Sequence, residues 1–199
     1  MMITMTTPVV LEGKGVLLIP ISHQYDFILS EIIRQGKLDQ LWYTSVPAPA
    51  NIAAEIDRRI NLQAVGKMLS FIVINKNNQQ IVGLTAYNTI DNQVRRVEIG
   101  ATWYRLEAQR THINTEAKYL LLKYAFEQLD CVAVEFRTHI LNLQSRKAIE
   151  RLGAKLDGIL RSHSYTKTGE LRDSCVYSII ASEWSVVKRH LEWQLTKPR

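Results

Sequence analysis

The segment Gln109-Arg110-Thr111-His112-Ile113-Asn114-Thr115-Glu116-Ala117 joins a strand-like run ending near Trp103 to a long helical pattern beginning near Asn114. A strand, a tight loop and a helix N-terminus in that order make an anion site. The first backbone N–H groups of the helix have no partner within it, and the macrodipole adds positive potential at the same end. Such a site suits a phosphate or a pyrophosphate.

The rest of the chain limits what can be built around that loop. Its 199 residues fit one domain, with residues 1–10 read as a flexible tail, and a hydrophobic fraction of 46% can fill a sizeable core. No apolar run reaches the roughly 18 residues of a membrane helix. Met1–Pro8 lacks the basic-then-apolar pattern of a secretory signal. Cys131 and Cys175, the only cysteines, have no metal-site spacing and read as buried free thiols in a reducing cytoplasm. The net charge of +6, from 25 Lys and Arg against 19 Asp and Glu, suits a polyanionic small molecule and also nucleic acid. The basic residues are dispersed and carry no nucleic-acid motif, which argues against the second. The five scattered histidines make no metal spacing, so no metal is expected. Neither a GxSxG elbow nor a GxxxxGK[ST] loop is present, which argues against an α/β-hydrolase or a P-loop NTPase.

Periodicity gives the element order. Val16–Ile21 reads as a first strand, near an edge because of Pro20. A helix follows over His23–Gln35, patterned on Phe27, Ile28, Ile32 and Ile33 and ended by Gly36. Leu38–Pro49 is irregular, and Asn51 is placed to cap a second helix reaching Ala64. Leu69–Ile74, Gln80–Asn88 and Val94–Trp103 read as an antiparallel meander with turns at Asn75–Asn78 and Asp91-Asn92. Beyond the anion loop come a helix to Leu129, a half-buried strand over Val132–Thr138 and a helix over Asn142–Leu152 stopped by Gly153. A hairpin over Lys155–Tyr165 and Leu171–Ile180 and a last helix over Glu183–Leu195 complete one α+β domain.

This order resembles the GNAT acyltransferases that use acetyl-CoA, and among them the RimJ/RimL branch, which acetylates ribosomal protein N-termini. The resemblance runs from about Leu11 to Leu195. It is carried by Glu98-Ile99-Gly100 with Trp103, Ile113-Asn114-Thr115-Glu116-Ala117, Asn142-x-x-Ser145, Leu152-Gly153-Ala154, and Arg172-Asp173-Ser174 followed by Tyr177-Ser178. It implies a mostly antiparallel central sheet flanked by helices, with strands splayed at the acyl-CoA site. It also implies a loop of pattern (Gln/Arg)-x-x-Gly-x-(Gly/Ala) that binds the CoA pyrophosphate through backbone N–H groups. Gln109 fits the first position, while His112 and Asn114 stand where small residues are usual. Both tolerate unusual backbone conformations better than most residues, so a reshaped loop is expected.

By the same resemblance Gln109, Arg110, Thr111, His112, Ile113, Asn114 and Thr115 would hold the cofactor, with Trp103 lending a backbone N–H to the thioester carbonyl. Asn142 would bond the pantetheine arm, Ser145 would protonate the departing thiolate, and Arg146 would reach CoA phosphates. Glu98 would take the proton from the amine. Trp42, Tyr43, Asp173 and Tyr177 would line the acceptor site. Plainer roles stand beside these: Asn114 or Asn142 as helix N-cap, and Glu98 paired with Arg95 or Arg96 at a sheet surface. The function implied is acetyl transfer from acetyl-CoA to an amine by direct attack. The acceptor is a protein N-terminus or a small-molecule amine, the alternative is a CoA-binding protein with little catalysis, and a monomer and a homodimer are both open. For a dimer, Trp184, Leu191 and Trp193 of the last helix are the partner-facing candidates.

Overall fold

A computed structural model describes residues 5–197. Eight strands among them form one sheet in the order β1-β2-β3-β4-β5-β6-β8-β7. The strands are β1 (Leu11–Glu12), β2 (Val16–Pro20), β3 (Leu69–Asn75), β4 (Gln80–Asp91), β5 (Arg96–Tyr104), β6 (Ala133–His139), β7 (Lys155–Tyr165) and β8 (Leu171–Ile180). The helices are α1 (Asp26–Gly36), α2 (Ile52–Ala64), α3 (His112–Glu127), α4 (Leu143–Arg151) and α5 (Trp184–Thr196). Every strand pair is antiparallel except β5 with β6. The expected mixed, mostly antiparallel sheet is thus the observed one.

Helices cover both faces, which is why β3 is a continuous apolar run rather than an alternating one. Phe71 and Val73 of β3 pack with Tyr87, Ile99, Leu121 and Ala125 on the face of α3. Ile72, between them, joins Leu84, Trp103 and the helix residues Leu29, Ile32, Ile33 and Ile56 on the opposite face. For the same reason β6 is buried on both sides except at Arg137, not half-buried as its pattern suggested. The α1 stripe is Leu29, Ile32 and Ile33, spaced as one helical face. Phe27, read as part of that stripe, is 79% exposed.

Several local expectations shift. The residue in the left-handed conformation that stops α1 is Lys37 (φ 48°) rather than Gly36. Asn51 precedes α2 but makes no side-chain cap. Gly153 (φ 95°) does terminate α4 as read. Of the tail, Met5 is buried in the core and the Thr6 carbonyl accepts a bond from Gln63, so the tail is anchored at these two residues. Residues 1–4 of that tail lie outside the described region. Trp184 and Leu191 are buried within the chain, stacked on Phe126 or packed against α3. Trp193 alone of the proposed partner-facing residues is exposed. Cys131 and Cys175 are free and buried.

One core group has no sequence forewarning. Between α3 and the sheet, the Lys118 Nζ lies 2.8 Å from Thr85 Oγ1 and 2.6 Å from Thr102 Oγ1. The two hydroxyls are 2.8 Å apart, and Thr102 also donates to the Gly100 carbonyl. Nζ donates to both hydroxyls, and Thr102 donates onward to the Gly100 carbonyl. Burial pushes the amine down to about 7. Between there and the ordinary lysine value the unfolded chain binds more protons than the folded one, so stability rises with pH across that window. We expect Lys118→Met to flatten the rise, with its gain over the parent largest at pH 6 and smallest near pH 10. Urea melts at the two pH values check this; parallel curves for both proteins would mean an ordinary amine.

Candidate active site

The site begins where two strands part. β5 and β6 pair only through Arg96–Ala133, Val97–Val134 and Glu98–Glu135. Beyond Glu98, β5 continues with β4 alone and β6 with β8 alone. The β5 backbone groups facing β6 therefore have no strand to bond past that point, an open edge inside the sheet. A bulge exaggerates the parting. Gly100 pairs with Ala86 and Trp103 with Leu84, so Ala101 and Thr102 oppose Thr85 alone. Ala101 takes a φ of 49°, and the Lys118 triangle holds the bulge from the helix side.

Both helices that follow these strands start at the mouth of the gap. For α3 the cap is Thr111, whose Oγ1 accepts from the Ile113 N–H at 3.3 Å and donates to the Ala108 carbonyl at 2.7 Å. The helix thus begins at His112 and not at Asn114, and Asn114 is not its cap. The left-handed residue of the loop is Arg110 (φ 59°). His112 and Asn114 are helical, so neither position requires glycine for its backbone angle. Gln109 donates to the Tyr104 carbonyl at 3.1 Å and ties the loop to the end of β5. Among the described residues, the N–H groups of Arg110, Thr111 and His112 have no backbone acceptor. Ile113 and Thr115 are buried beneath them. The His112 ring is turned toward the β1–β2 hairpin, where it lies against Gly15. Beside the loop is a cavity of about 150 Å³ whose lining includes Arg110, Thr111, Thr115, Arg151 and Lys197. Three cations and a helix N-terminus converge there.

At the N-terminus of α4, Asn142 is the cap: its Oδ1 accepts from the Ser145 N–H at 3.1 Å. Ser145 is half-buried one turn in, and its hydroxyl has no partner among the described residues. Arg146 is bound inward, donating to the Tyr177 hydroxyl at 2.9 Å and to the Ile140 carbonyl at 3.3 Å. Tyr177 is fully buried on that face and donates to Glu150 at 2.8 Å. It is a strut between β8 and α4, away from Trp42, Tyr43 and Glu98.

The opposite face of the gap carries the other polar groups. Glu98 and Asn88 are cross-strand partners, and both fold over Gly100. A Cβ there would lie 2.6 Å from Asn88 Nδ2 and 2.8 Å from Glu98 Oε1. Glu98 is not paired with Arg95 or Arg96: Arg95 holds Asp130 and Arg96 holds Glu135. It accepts from Thr89 at 3.2 Å. Burial raises its carboxyl above the usual range, against the pull of Arg137. On β6, His139 accepts the Leu141 N–H at Nδ1 (3.0 Å), which puts its own proton on Nε2. Burial, reinforced by Arg172, lowers its pKa and keeps it neutral. Trp42 packs edge-on against His139 with ring centroids 5.1 Å apart, and Tyr43 packs on Trp42 at 5.6 Å. Asp173 is occupied by Arg161 at 2.6 Å and by the Ser162 N–H at 2.8 Å. The Lys167 ammonium reaches the Asp39 carbonyl, closing the β7–β8 hairpin onto the irregular segment before α2. The Trp103 indole lies in the apolar cluster of this face.

Glu98, Trp42 and Tyr43 are thus on one face and the anion loop and Ser145 at the mouth, as the sequence arranged them. Asn88, His139 and Arg172 share the face of Glu98 but are not among the site residues named from the sequence. Strand alternation puts His139 on the face of Glu135 and Arg137, and register puts Ser174, hence Arg172, beside it; the signal existed once the strands were paired.

Among the described residues no helix is long and apolar enough to cross a membrane, and no group of three His, Cys, Asp or Glu gathers. Residues 16–155 match the family model of the acetyltransferase (GNAT) domain. An uncharacterized N-acetyltransferase p20 of Bacillus licheniformis is 28% identical over 67% of this chain and 74% of its own length. A GCN5-related N-acetyltransferase from Brucella melitensis superposes with a TM-score of 0.83 at 28% identity, covering 94% of this chain and 86% of that one. The RimJ of Mycobacterium smegmatis, solved with a CoA disulfide, shares the fold at a TM-score of 0.79 and 18% identity, over 94% and 93% of the two chains. With a family match over most of its length, the chain belongs to the GNAT acetyltransferases, enzymes whose acyl donor is acetyl-CoA.

Proposed function

We propose that the protein acetylates a primary amine by direct attack on bound acetyl-CoA within a ternary complex. The observation that carries this reading is the gap between β5 and β6, with Glu98 on one side and the starts of α3 and α4 at its mouth. The diphosphate sits on the α3 N-terminus, supported by the unpaired N–H groups and by Arg110. Arg151 and Lys197 add positive charge for the remaining phosphate. The pantetheine arm fills the gap, and a free β5 N–H beyond Glu98 polarises the thioester carbonyl.

The proton inventory then closes. Glu98 takes a proton from the acceptor ammonium, directly or through water. The amine lone pair forms the new C–N bond at the carbonyl carbon, and the C–S bond breaks. The thiolate leaves and takes a proton from Ser145 Oγ or a water bound to it, and the second proton of the attacking nitrogen, shed as the amide forms, passes through water to restore that donor. A carboxyl raised by burial is a better base than an ordinary glutamate, and its activity appears only above that raised value. His139, protonated at Nε2, acts as a donor toward the acceptor and not as the base. Arg146 serves the site from behind, by fixing the α4 start to β8.

Calorimetry with CoA and dephospho-CoA tests the cofactor site. Micromolar binding that weakens without the 3′-phosphate is expected; absence of binding at millimolar CoA would end the reading. Glu98→Gln is expected to lower turnover by about 100-fold or more while leaving CoA affinity intact. It should also raise the melting temperature near neutral pH. With a raised folded value, the folded chain holds the Glu98 proton longer than the unfolded one, so ionising it costs stability as pH rises. Ser145→Ala is expected to lower turnover more than CoA affinity, and full retained turnover would remove its role as proton donor. Asn142→Ala confounds two effects, since losing a cap alone costs about 1 kcal/mol. Asn142→Ser keeps a capping oxygen, and a loss of CoA affinity in that variant isolates the amide's contact with the cofactor.

A further inference from the structure

Three arginines of the acceptor side are engaged among the described residues. Arg96 and Arg137 hold Glu135, and Arg161 holds Asp173. Arg172, on β8 beside His139, forms no hydrogen bond or ion pair with the described residues, and its Nε is buried without a partner. Burial works against its charge, and the nearest compensation is the through-space field of Glu98. Two further buried polar atoms on this face are also unmatched: Asn88 Oδ1, an acceptor, and Trp103 Nε1, a donor. Asn88 is the cross-strand neighbour of Glu98. Buried polar atoms without partners are rare in folded proteins, and several on one face mark a place where something else supplies them.

Their arrangement has a polarity. One end, Glu98 with the free Asn88 oxygen, accepts hydrogen bonds and favours a cation. The other end, Arg172, donates a planar fork and favours a carboxylate. We infer that the acceptor is an amino acid in the broad sense: a primary amine whose own carboxylate seats on Arg172 while its nitrogen lies at Glu98 and Asn88. This rests on the acetyl-transfer reading and narrows it. An amine without the anion would leave the guanidinium desolvated and unpaired when it entered, which is the strong form of discrimination. Two sources supply this chemistry: a free amino acid, and a polypeptide N-terminus whose first side chain is acidic.

The test compares kcat/KM for each carboxylate acceptor with its carboxamide twin. Glycine, β-alanine and 5-aminovalerate represent free amino acids; the tripeptide amides Glu-Ala-Ala and Gln-Ala-Ala represent N-termini. The expected result is a carboxylate preference of about 100-fold at the fitting length, falling toward unity in Arg172→Gln and partly restored in Arg172→Lys. Preference confined to the peptide pair assigns the N-terminus as source; preference among the small acids assigns the free form. Because Arg172 has no partner in the fold, Arg172→Gln is also expected to melt no lower than the parent. A marked drop would make the residue structural and overturn the assignment. Equal rates on carboxylates and carboxamides, or a preference that survives Arg172→Gln, would likewise overturn it while leaving acetyl transfer intact. CoA binding without transfer to any carboxylate in the panel overturns it too, and failure to bind CoA overturns both readings.

Discussion

The parting of β5 from β6 after three residue pairs governs the rest of the molecule. A continuous sheet would bury its backbone groups in ladders and leave no gap. Here the ladder stops at Glu98, so the last paired residue is also the proposed base. Parallel strands need a crossover, and α3 provides it; its start must then fall at the end where the strands have separated. The start of α4 falls there for the same reason, since it follows β6. One interruption in pairing thus sets the positions of the carboxylate, both helix N-termini and the unpaired backbone of β5.

The gap is kept open by fixtures on both faces. On the helix side, Lys118, Thr85 and Thr102 pin a two-against-one bulge. On the other, Gly100 leaves room for Glu98 and Asn88 to fold inward, room that a Cβ would take away. The anion loop has its own anchors: Gln109 to Tyr104, Thr111 to Ala108, and Glu116 to the Gly15 N–H at 2.9 Å. None of these groups needs to touch a ligand for the site to depend on it.

Much of this was legible from residue order. The hairpin over Lys155–Tyr165 and Leu171–Ile180 coincides with β7 and β8, because strong turn residues bracket it. The anion loop and its helix were placed to within two residues. What failed was local. Asn51 and Asn114 look like caps, but Asn51 makes no capping bond and Thr111 takes the place of Asn114. Phe27 fits a helical stripe but faces solvent, since the stripe's phase is set by the sheet beneath it. Tyr177 and Asp173 sit on β8, yet each is consumed by a neighbouring element, Tyr177 by α4 and Asp173 by β7. Lys118 is charged in composition and apolar in behaviour; only its surroundings show that. Arg172 is the converse, an ordinary arginine in sequence and a solitary one in space. Partners brought by other elements decide such cases, and a single sequence does not carry them.

The three-pair seam has a mechanical meaning. The strands β1–β5 and β6–β8 are two plates stitched along three rungs and clasped by α3 and α5 across one surface. Whatever enters the gap acts as a wedge on that stitch. Val97 and Val134, buried at its middle rung, are where such a load is felt first, so the exchange of their amide hydrogens serves as a strain gauge for how widely the plates stand apart.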